Sequence, residues 1–568
     1  MYSLAIIGLG PRGLYALECL MVSLSRKRDT HNPKVALIES QQFIGCGSAW
    51  NIHQPDANTI NISDRDLKGL PERSVIKGNG FHITAFPSFI DWVKVNYNHQ
   101  LDDHKDTYFN RNVMGKYLHL RAKTIVDHLV AQEIVSLIKA RATSIVFKNQ
   151  IAEISFKNGI HASILAQHTL LTTGHLSENM SLQDQGFYQH ATQKEDVFYI
   201  HNPYTEKAYS LYSSFHRVAI KGMGLSMIDI VHLCIDRLQG KFIPKKNGPF
   251  LSFEHNTNDE LKIYPFSLDG LPVMPKPIGK TVDNQFNIES SVIEELKKEL
   301  EKLIEHPNFL NIEDILTPIV DIIKNKYQQL DSSLPDVNIH QLIMSWLLDE
   351  RVESSLWLDT DLQTVEYLKQ ASLMACGMRP FTLDYTIGQV WRQLQPVLYP
   401  IFTHSNLSPE LQSKFIQTDE LTKRYSYGPP VERVLQLIAL SESGILDFGL
   451  VTNPTIKENK DGWILKNKTN EKLVQSMING VLASPQLKNI DDSLINELFN
   501  LNYLEPFHKQ LGIKTNEHAR VLTESETALE ISVLGRNAKG SVYGVDAILE
   551  CFSPKVMAWA NQFTKDYI

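Results

Sequence analysis

An α/β protein built on two strand–turn–helix units is what this sequence predicts, and three observations predict it. Short, wholly apolar segments alternate with segments whose apolar residues recur at helical spacing. A glycine-rich turn joins strand to helix twice, at Gly8–Gly13 and at Gly222–Ser226. Between residues 283 and 350, glycine and proline are sparse and acids and lysines crowd one face (Glu294, Glu295, Lys297, Lys298, Glu299), which reads as inserted helices.

The elements follow in order. Residues 3–7 (Ser-Leu-Ala-Ile-Ile) form a short buried strand. Residues 11–25 place Leu14, Leu17, Leu20, Met21 and Leu24 at helical spacing. After a polar break from Arg26 to Pro33, residues 34–39 form a second buried strand. A similar strand–turn–helix recurs at 217–239. Residues 408–445 are helical, broken at Gly428-Pro429-Pro430. The last eighty or so residues return to mixed α/β. They hold a strand at 529–534, a glycine-rich turn and a helix from about 544 onward. The expected division is a first domain of 1–205 plus 475–568, a second of 206–400 carrying the inserted helices, and a helical covering region of 401–474.

Composition excludes several classes. The 568 residues are 43% hydrophobic and 21% charged, the profile of a globular chain long enough to need no disulfide or metal staple. Sixty-four acids against fifty-six bases give −8, and no basic block occurs, so nucleic acid is not an expected partner. The five cysteines (Cys19, Cys46, Cys234, Cys376, Cys551) are widely spaced and form no CxxC, which fits a reducing compartment and excludes a zinc cage or dithiol pair. No apolar run approaches a membrane span and no basic leader precedes the first strand, so the expectation is a cytoplasmic protein. His104, His161, His175 and His201 show no metal spacing, and neither HExxH nor GxSxG occurs.

The first turn reads Gly8-Leu9-Gly10-Pro11-Arg12-Gly13, a GxGxxG between strand and helix. The first glycine permits the tight turn, the second lets a pyrophosphate approach the backbone, and the third lets helix and strand pack closely. Pro11 suits the first helical turn, where its missing N–H costs nothing. Glu39, followed by Ser40, ends the second strand, where an acid binds ribose hydroxyls. Strand, glycines, helix, strand and acid together specify a Rossmann-like dinucleotide site, and FAD is the expected occupant. The second turn, Lys221-Gly222-Met223-Gly224-Leu225-Ser226, has Met227 at the third glycine position and is degenerate. Two nested motifs of this kind imply FAD first and a nicotinamide (NADH or NADPH) second, the latter held by Gly222, Gly224, Leu225, Ser226 and Ser267. Thr172-Thr173-Gly174 lies between the two, at the link where the chain leaves the first domain.

At this point the chain resembles the bacterial FAD/NAD(P)-binding flavoproteins related to N-hydroxylating monooxygenases. The resemblance rests on the GxGPxG turn, on Gly45-Cys46-Gly47-Ser48-Ala49-Trp50, on Asn58-Thr59-Ile60-Asn61-Ile62, on Arg111, Gly115, Tyr117 and Leu118, and on Leu534-Gly535-Arg536-Asn537-Ala538-Lys539-Gly540-Ser541-Val542-Tyr543-Gly544-Val545-Asp546. It implies that Arg12, Gly47, Ser48, Trp50, Asn61, Arg111, Thr173, Gly174, Gly540, Gly544 and Asp546 also serve FAD, with a helix N-terminus at Gly544 facing the flavin. It implies a monooxygenase that uses NAD(P)H and O2 to hydroxylate a small molecule, often at an amino-acid nitrogen. One departure stands out. The family's Ser-Arg-x-Gly-Leu-Pro element reads Ser267-Leu268-Asp269-Gly270-Leu271-Pro272 here, so the arginine that pairs with a 2′-phosphate is replaced and an acid follows.

Other readings stay open at this level. Phe43-Ile44-Gly45-Cys46-Gly47 resembles the single-cysteine site of flavin peroxidases and disulfide reductases, which would make Cys46 the redox centre. The degenerate second motif is compatible with a non-catalytic FAD/NAD sensor. Arg379, Arg392, Lys423 and Arg424 could hold a substrate carboxylate, Arg424 beside Tyr425 most of all; Trp50, Cys46 and Arg424 are the catalytic candidates. The amphipathic C-terminal segment with Val556, Met557, Trp559 and Phe563 is expected to be a packing helix.

Overall fold

The structure is a computed structural model and describes all residues except 28–31, 103–104, 158–161, 332–336 and 524–528. The chain begins β1 (Tyr2–Ile7), α1 (Pro11–Ser25) and β2 (Val35–Ile38). A small hairpin, β3 (Ile76–Gly78) and β4 (Phe81–Ile83), precedes helices α2 (Phe89–Tyr97) and α3 (Arg111–Ala131). Strands β5 (Val135–Ile138), β6 (Ala142–Lys148), β7 (Ile151–Phe156) and β8 (Ile164–Leu171) follow. Next come α4 (Leu182–Thr192), β9 (Phe198–Ile200), α5 (Glu206–Leu211), β10 (Arg217–Lys221) and α6 (Leu225–Ile235). A hairpin, β11 (Lys241–Pro244) and β12 (Leu251–Glu254), leads to β13 (Lys262–Phe266). The helical stretch holds α7 (Gly279–Asp283), α8 (Ser290–Glu305), α9 (Ile312–Leu330), α10 (Ile339–Leu347), α11 (Thr364–Ala375), α12 (Leu383–Phe402), α13 (Pro409–Ser426) and α14 (Val431–Glu442). The chain ends with β14 (Thr455–Asn459), β15 (Gly462–Lys466), β16 (Glu471–Val474), β17 (Ser476–Asn479), α15 (Ser493–Asn500), β18 (Ile531–Val533) and α16 (Pro554–Tyr567).

Two sheets organise these elements. The first has the order β5-β2-β1-β8-β7-β6, with β18 added to β8. Strands β1 and β2 are apolar and almost wholly buried: one face packs with α1, α3 and α16, the other with α15 and the β6–β7 hairpin, and the β6–β7 and β7–β8 pairs are antiparallel. The second sheet has the order β13-β10-β17-β9, all parallel. Helix α1 starts on Pro11 with Gly10 at the cap, and it packs with α16, whose Val556, Trp559 and Phe563 are buried in the same core. The α13–α14 break falls at residues 427–430, where Pro429 and Pro430 cannot continue a helix.

Several boundaries differ from the sequence expectation. Strand β17 lies in the second sheet, not with the first unit's C-terminal piece, and β9 joins it there. Strand partnership depends on which backbone edge is free, and a four-residue segment such as Ser476–Asn479 carries no mark of it. Residues 455–474 are a three-stranded antiparallel sheet rather than helical cover. Helices α8, α9 and α10 share one core with α12 and α13, so the inserted helices and the covering helices form one body. No helix begins at Gly544: the residue has φ +75, a 3-10 turn spans Leu549–Phe552, and α16 starts only at Pro554.

Candidate functional site

The two sheets carry the same local register, and it places both turns. In the first sheet the Gly8 N–H bonds to Ile38 O at 2.9 Å and the Thr172 N–H to Ile7 O at 2.9 Å. In the second, the Gly222 N–H bonds to Phe266 O at 2.7 Å and the Gly480 N–H to Lys221 O at 2.8 Å. Gly8 thus corresponds to Gly222, Ile38 to Phe266, and Glu39 to Ser267. In each sheet the central strand, β1 or β10, is flanked on both sides, so the crevice past its C-terminal end is the switch point where α/β sheets bind ligands.

The first crevice has the form of a nucleotide diphosphate cradle. Gly8 has φ +94, where a side chain would be strained, and a Cβ there would lie 2.6 Å from Thr172 O. A Cβ on Gly13 would collide with Gly8 O and lie 2.9 Å from Thr172 Oγ1. By contrast, a Cβ on Gly10 would meet only Gly47 at 3.6 Å, and one on Gly174 nothing within 4 Å. Helix α1 has no side-chain cap and no acid in its first turn, so its amides and dipole are free for an anion. The buried Glu39 carboxylate accepts the Leu9 N–H at 2.7 Å and the Gln41 N–H at 2.7 Å, which fixes it at the end of β2. Ser40 and Ser48 are exposed and Gly47, Trp50 and Thr173 part-buried, with Gly47 beside Gly10 and Thr173 beside Gly8. These residues fit FAD. In the second crevice Gly222 has φ +115, Gly224 faces open space, and α6 begins uncapped with no acid in its first turn. The fully buried Met227 takes up the room that the third glycine leaves in α1.

Contacts explain why two separate motifs occur together. A Cβ on Gly115 would collide with Trp50 O, and one on Gly45 would lie 2.5 Å from Leu118 O and 2.6 Å from the Ala122 Cβ. The 45–50 loop therefore lies across α3, and only glycine permits the approach at both points.

Other candidates stand elsewhere. Arg12 turns from the cradle: its Nη1 donates to Glu550 O at 3.0 Å and its Nη2 lies 3.7 Å from Cys551 Sγ. Arg111 leaves the first crevice for the second unit, where its Nη2 donates to Asp229 Oδ2 on α6 at 2.6 Å. Tyr204 OH donates to the same carboxylate oxygen at 2.8 Å. Gly540 packs against Phe507 and Leu511, and Gly544 against the Tyr399 ring. Asp546 accepts from Lys423 at 2.6 Å, from Lys539 at 3.0 Å and from Arg536. Despite its burial, these three cations hold its carboxyl well below the usual range. Asn61 donates to Tyr427 O at 3.3 Å. Arg379 donates to Gln370 at 2.6 Å, and Arg392 pairs with Asp283. Arg424 pairs with Asp269.

Cys46 is placed as a buried thiol. It is 2% exposed, and burial pushes its thiol up to about 12, so almost none is ionised at neutral pH. Cys46 donates to Phe43 O at 3.4 Å and packs in the core. A buried, protonated thiol supports the single-cysteine reading less than the monooxygenase reading. His175 follows the end of β8 and is exposed to solvent, with the Arg536, Lys539 and Asp546 charges around it. Desolvation by the surrounding chain, and then the Arg536 cation, push its pKa down to about 4. His201 lies 3.4 Å from Tyr199 OH, while His104 and His161 fall outside the described residues. Among the described residues no helix is long and apolar enough to cross a membrane.

Two site residues escaped the sequence reading. Asn537 donates to Thr173 Oγ1 at 2.8 Å and ties the C-terminal turn to the end of β8. Lys276, fixed between Pro275 and Pro277, donates to Asn61 O at 2.7 Å. Burial and then Arg392 push its ammonium down to about 8. The Pro-Lys-Pro triplet was the available signal.

Residues 5–176 match the family model described as FAD-NAD(P)-binding. The chain is 24% identical to nitrosuccinic acid synthase of Aspergillus oryzae, over 90% of this chain and 83% of the relative. Among solved structures it is similar to ornithine hydroxylase from Pseudomonas aeruginosa, at 10% identity and TM-score 0.48, covering 99% of both chains. It is also similar to the ornithine N-hydroxylase of Kutzneria sp. 744, at 11% identity and TM-score 0.46, covering 100% of this chain and 99% of that one. The open glycine cradle, the fixed acid at the end of β2 and the uncapped helix behind them all lie within residues 5–176, the stretch that matches the FAD-NAD(P)-binding model.

Proposed function

We propose that the chain is an FAD-dependent monooxygenase that takes electrons from NADH or NADPH and hydroxylates the nitrogen of a small amine or amino acid with O2. One observation carries the reading furthest. The C-terminal end of α13 lies where both nucleotide units meet the helical body. Lys423 reaches Asp546 of the first unit, Arg424 reaches Asp269 of the second, and Tyr427 O accepts from Asn61 of the first. Two dinucleotide crevices that converge on one covered junction suit hydride passage followed by oxygenation under cover.

Bound FAD would supply acceptance of the hydride and reaction with dioxygen. The chain's own residues hold and shield. The free amides at Gly10–Gly13 would take the pyrophosphate, and Glu39 the adenosine ribose. Arg536, Lys539 and Lys423 are matched by Asp546, Glu420 and Asp419, so the junction is tied together by a network of paired charges. Lys276 Nζ, pushed down to about 8, can hold or release a proton near neutral pH beside Asn61. Tyr427 OH donates to Glu550 at 3.0 Å and meets Tyr399 OH at 2.7 Å, closing the junction against water. The name of the Aspergillus relative refers to a product with oxygen on nitrogen, which supports the same reaction class here. A cytoplasmic location goes with the proposal and is supported by five free cysteines.

The test begins with colour. Purified protein given FAD should show flavin absorption, NADH or NADPH should bleach it, and small amino acids should speed NAD(P)H oxidation with one atom of labelled O2 entering the product. A protein that gains no flavin would refute the proposal. One that binds FAD but stays oxidised with both nucleotides would be the non-catalytic sensor.

A further inference from the structure

We propose that Ser267, Asp269 and Arg424 form the site that reads the 2′ substituent of the nicotinamide dinucleotide's adenosine ribose, with the Asp269–Arg424 pair disfavouring a 2′-phosphate. The inference rests on the nicotinamide reading above and adds the residues that set its specificity.

The register places the site. The residue after Ile38 is Glu39, and the residue after the corresponding Phe266 is Ser267. The acid position that meets ribose hydroxyls in a dinucleotide unit is therefore filled by a serine in the second sheet. Its hydroxyl donates to Asp269 Oδ1 at 2.9 Å and accepts the Gly270 N–H at 2.9 Å, while the Leu271 N–H bonds to Asp269 Oδ1 at 3.1 Å. The turn thus sets a carboxylate two residues beyond the usual place. Arg424 arrives from the last turn of α13, in the helical body, and its Nη2 bonds to Asp269 Oδ2. The Met274 N–H bonds to Arg424 O at 2.8 Å, so the backbone that carries the guanidinium is pinned to the same loop. Both side chains stay open to a ligand, Asp269 at 48% exposure and Arg424 at 29%.

The charges give the direction. A 2′-hydroxyl can donate to Asp269 without disturbing the pair. A 2′-phosphate dianion is repelled by that carboxylate, and the guanidinium it needs already has one nitrogen committed to Asp269. Removing the carboxylate frees Arg424 for phosphate, and removing the guanidinium leaves only repulsion.

Binding to the FAD-loaded protein tests this directly. Dissociation constants for NADH and NADPH, and for 5′-AMP and adenosine 2′,5′-bisphosphate, which differ only in the 2′-phosphate, would be measured by calorimetry. KM for each dinucleotide would follow from steady-state rates. Asp269→Asn should shift the NADPH-to-NADH affinity ratio at least tenfold toward NADPH. Arg424→Gln should weaken both 2′-phosphorylated ligands about tenfold and leave NADH within twofold. If both variants fold, keep FAD and leave the ratio within twofold of the parent, the 2′ assignment is wrong. If the parent protein binds neither dinucleotide, the nicotinamide reading itself fails, and the inference with it.

Discussion

Replacing Gly10 by valine should strip the chain of FAD while leaving it folded, and replacing Gly13 by alanine should do the reverse. Gly10 has φ −78 and ψ −167, extended backbone that any residue adopts. The nearest atom to an added Cβ is Gly47 Cα at 3.6 Å, an ordinary contact. The apo stability of Gly10→Val should therefore stay within about 0.5 kcal/mol of the parent. Its methyl groups, however, fill the space through which the pyrophosphate approaches the α1 amides. Losing two charge-assisted hydrogen bonds at about 2 kcal/mol each gives about 4 kcal/mol, or roughly a thousandfold in the FAD dissociation constant. At Gly13 the added Cβ would meet Gly8 O and lie 2.9 Å from Thr172 Oγ1, so α1 must move away from β1. Overpacking of that kind costs about 1–3 kcal/mol, or a melting point several degrees lower in a unit of this size. The assay is flavin absorbance after gel filtration, with melting curves taken with and without added FAD, since a ligand that binds only the folded state raises Tm. Stoichiometric flavin in Gly10→Val, or a parental apo Tm in Gly13→Ala, would show that the turn does not divide its work between phosphate approach and helix packing.

Three further outcomes follow from burial and charge. Cys46→Ser, FAD-loaded, should keep NAD(P)H oxidation within about twofold, because the buried thiol near 12 takes no part; loss by orders of magnitude in rate assays would restore the thiolate reading. Buried Glu18 receives Arg121 at 2.7 Å and Arg73 at 3.0 Å, so Glu18→Gln strands two buried guanidinium groups; urea melts should show a loss of about 3–5 kcal/mol, and a loss under 1 kcal/mol would count against the buried network. His232, buried between Ile228 O and the Gln436 amide, has its pKa pushed down to about 3 by desolvation and then by Arg433. A lowered folded-state pKa means that the unfolded chain takes up the proton first. The stability is complete above about 6.5 and is lost as pH falls toward 3, on the order of 3 kcal/mol between pH 7 and 4. In His232→Gln the same urea melts should show a correspondingly flatter acid limb.

What the sequence determined by itself was local. Gly8, Gly10 and Gly13 around Pro11, Glu39 at the end of an apolar strand, the Pro429-Pro430 break and the apolar stripe of α16 are legible because backbone sterics and side-chain periodicity act over a few residues. The tertiary structure decided everything that depends on distant partners. Arg111 went to Asp229, Arg12 to Glu550 O, Arg424 to Asp269 and Lys423 to Asp546, and each of these pairs joins residues far apart in the sequence. The Glu39–Ser267 correspondence was equally hidden, because strand register is fixed by hydrogen bonds between backbones and leaves no trace in side-chain identity. A long charged side chain can reach any of several opposite charges, and an apolar strand can pair with any free edge. Only the packed chain chooses, by burying each charge beside the one partner within its reach.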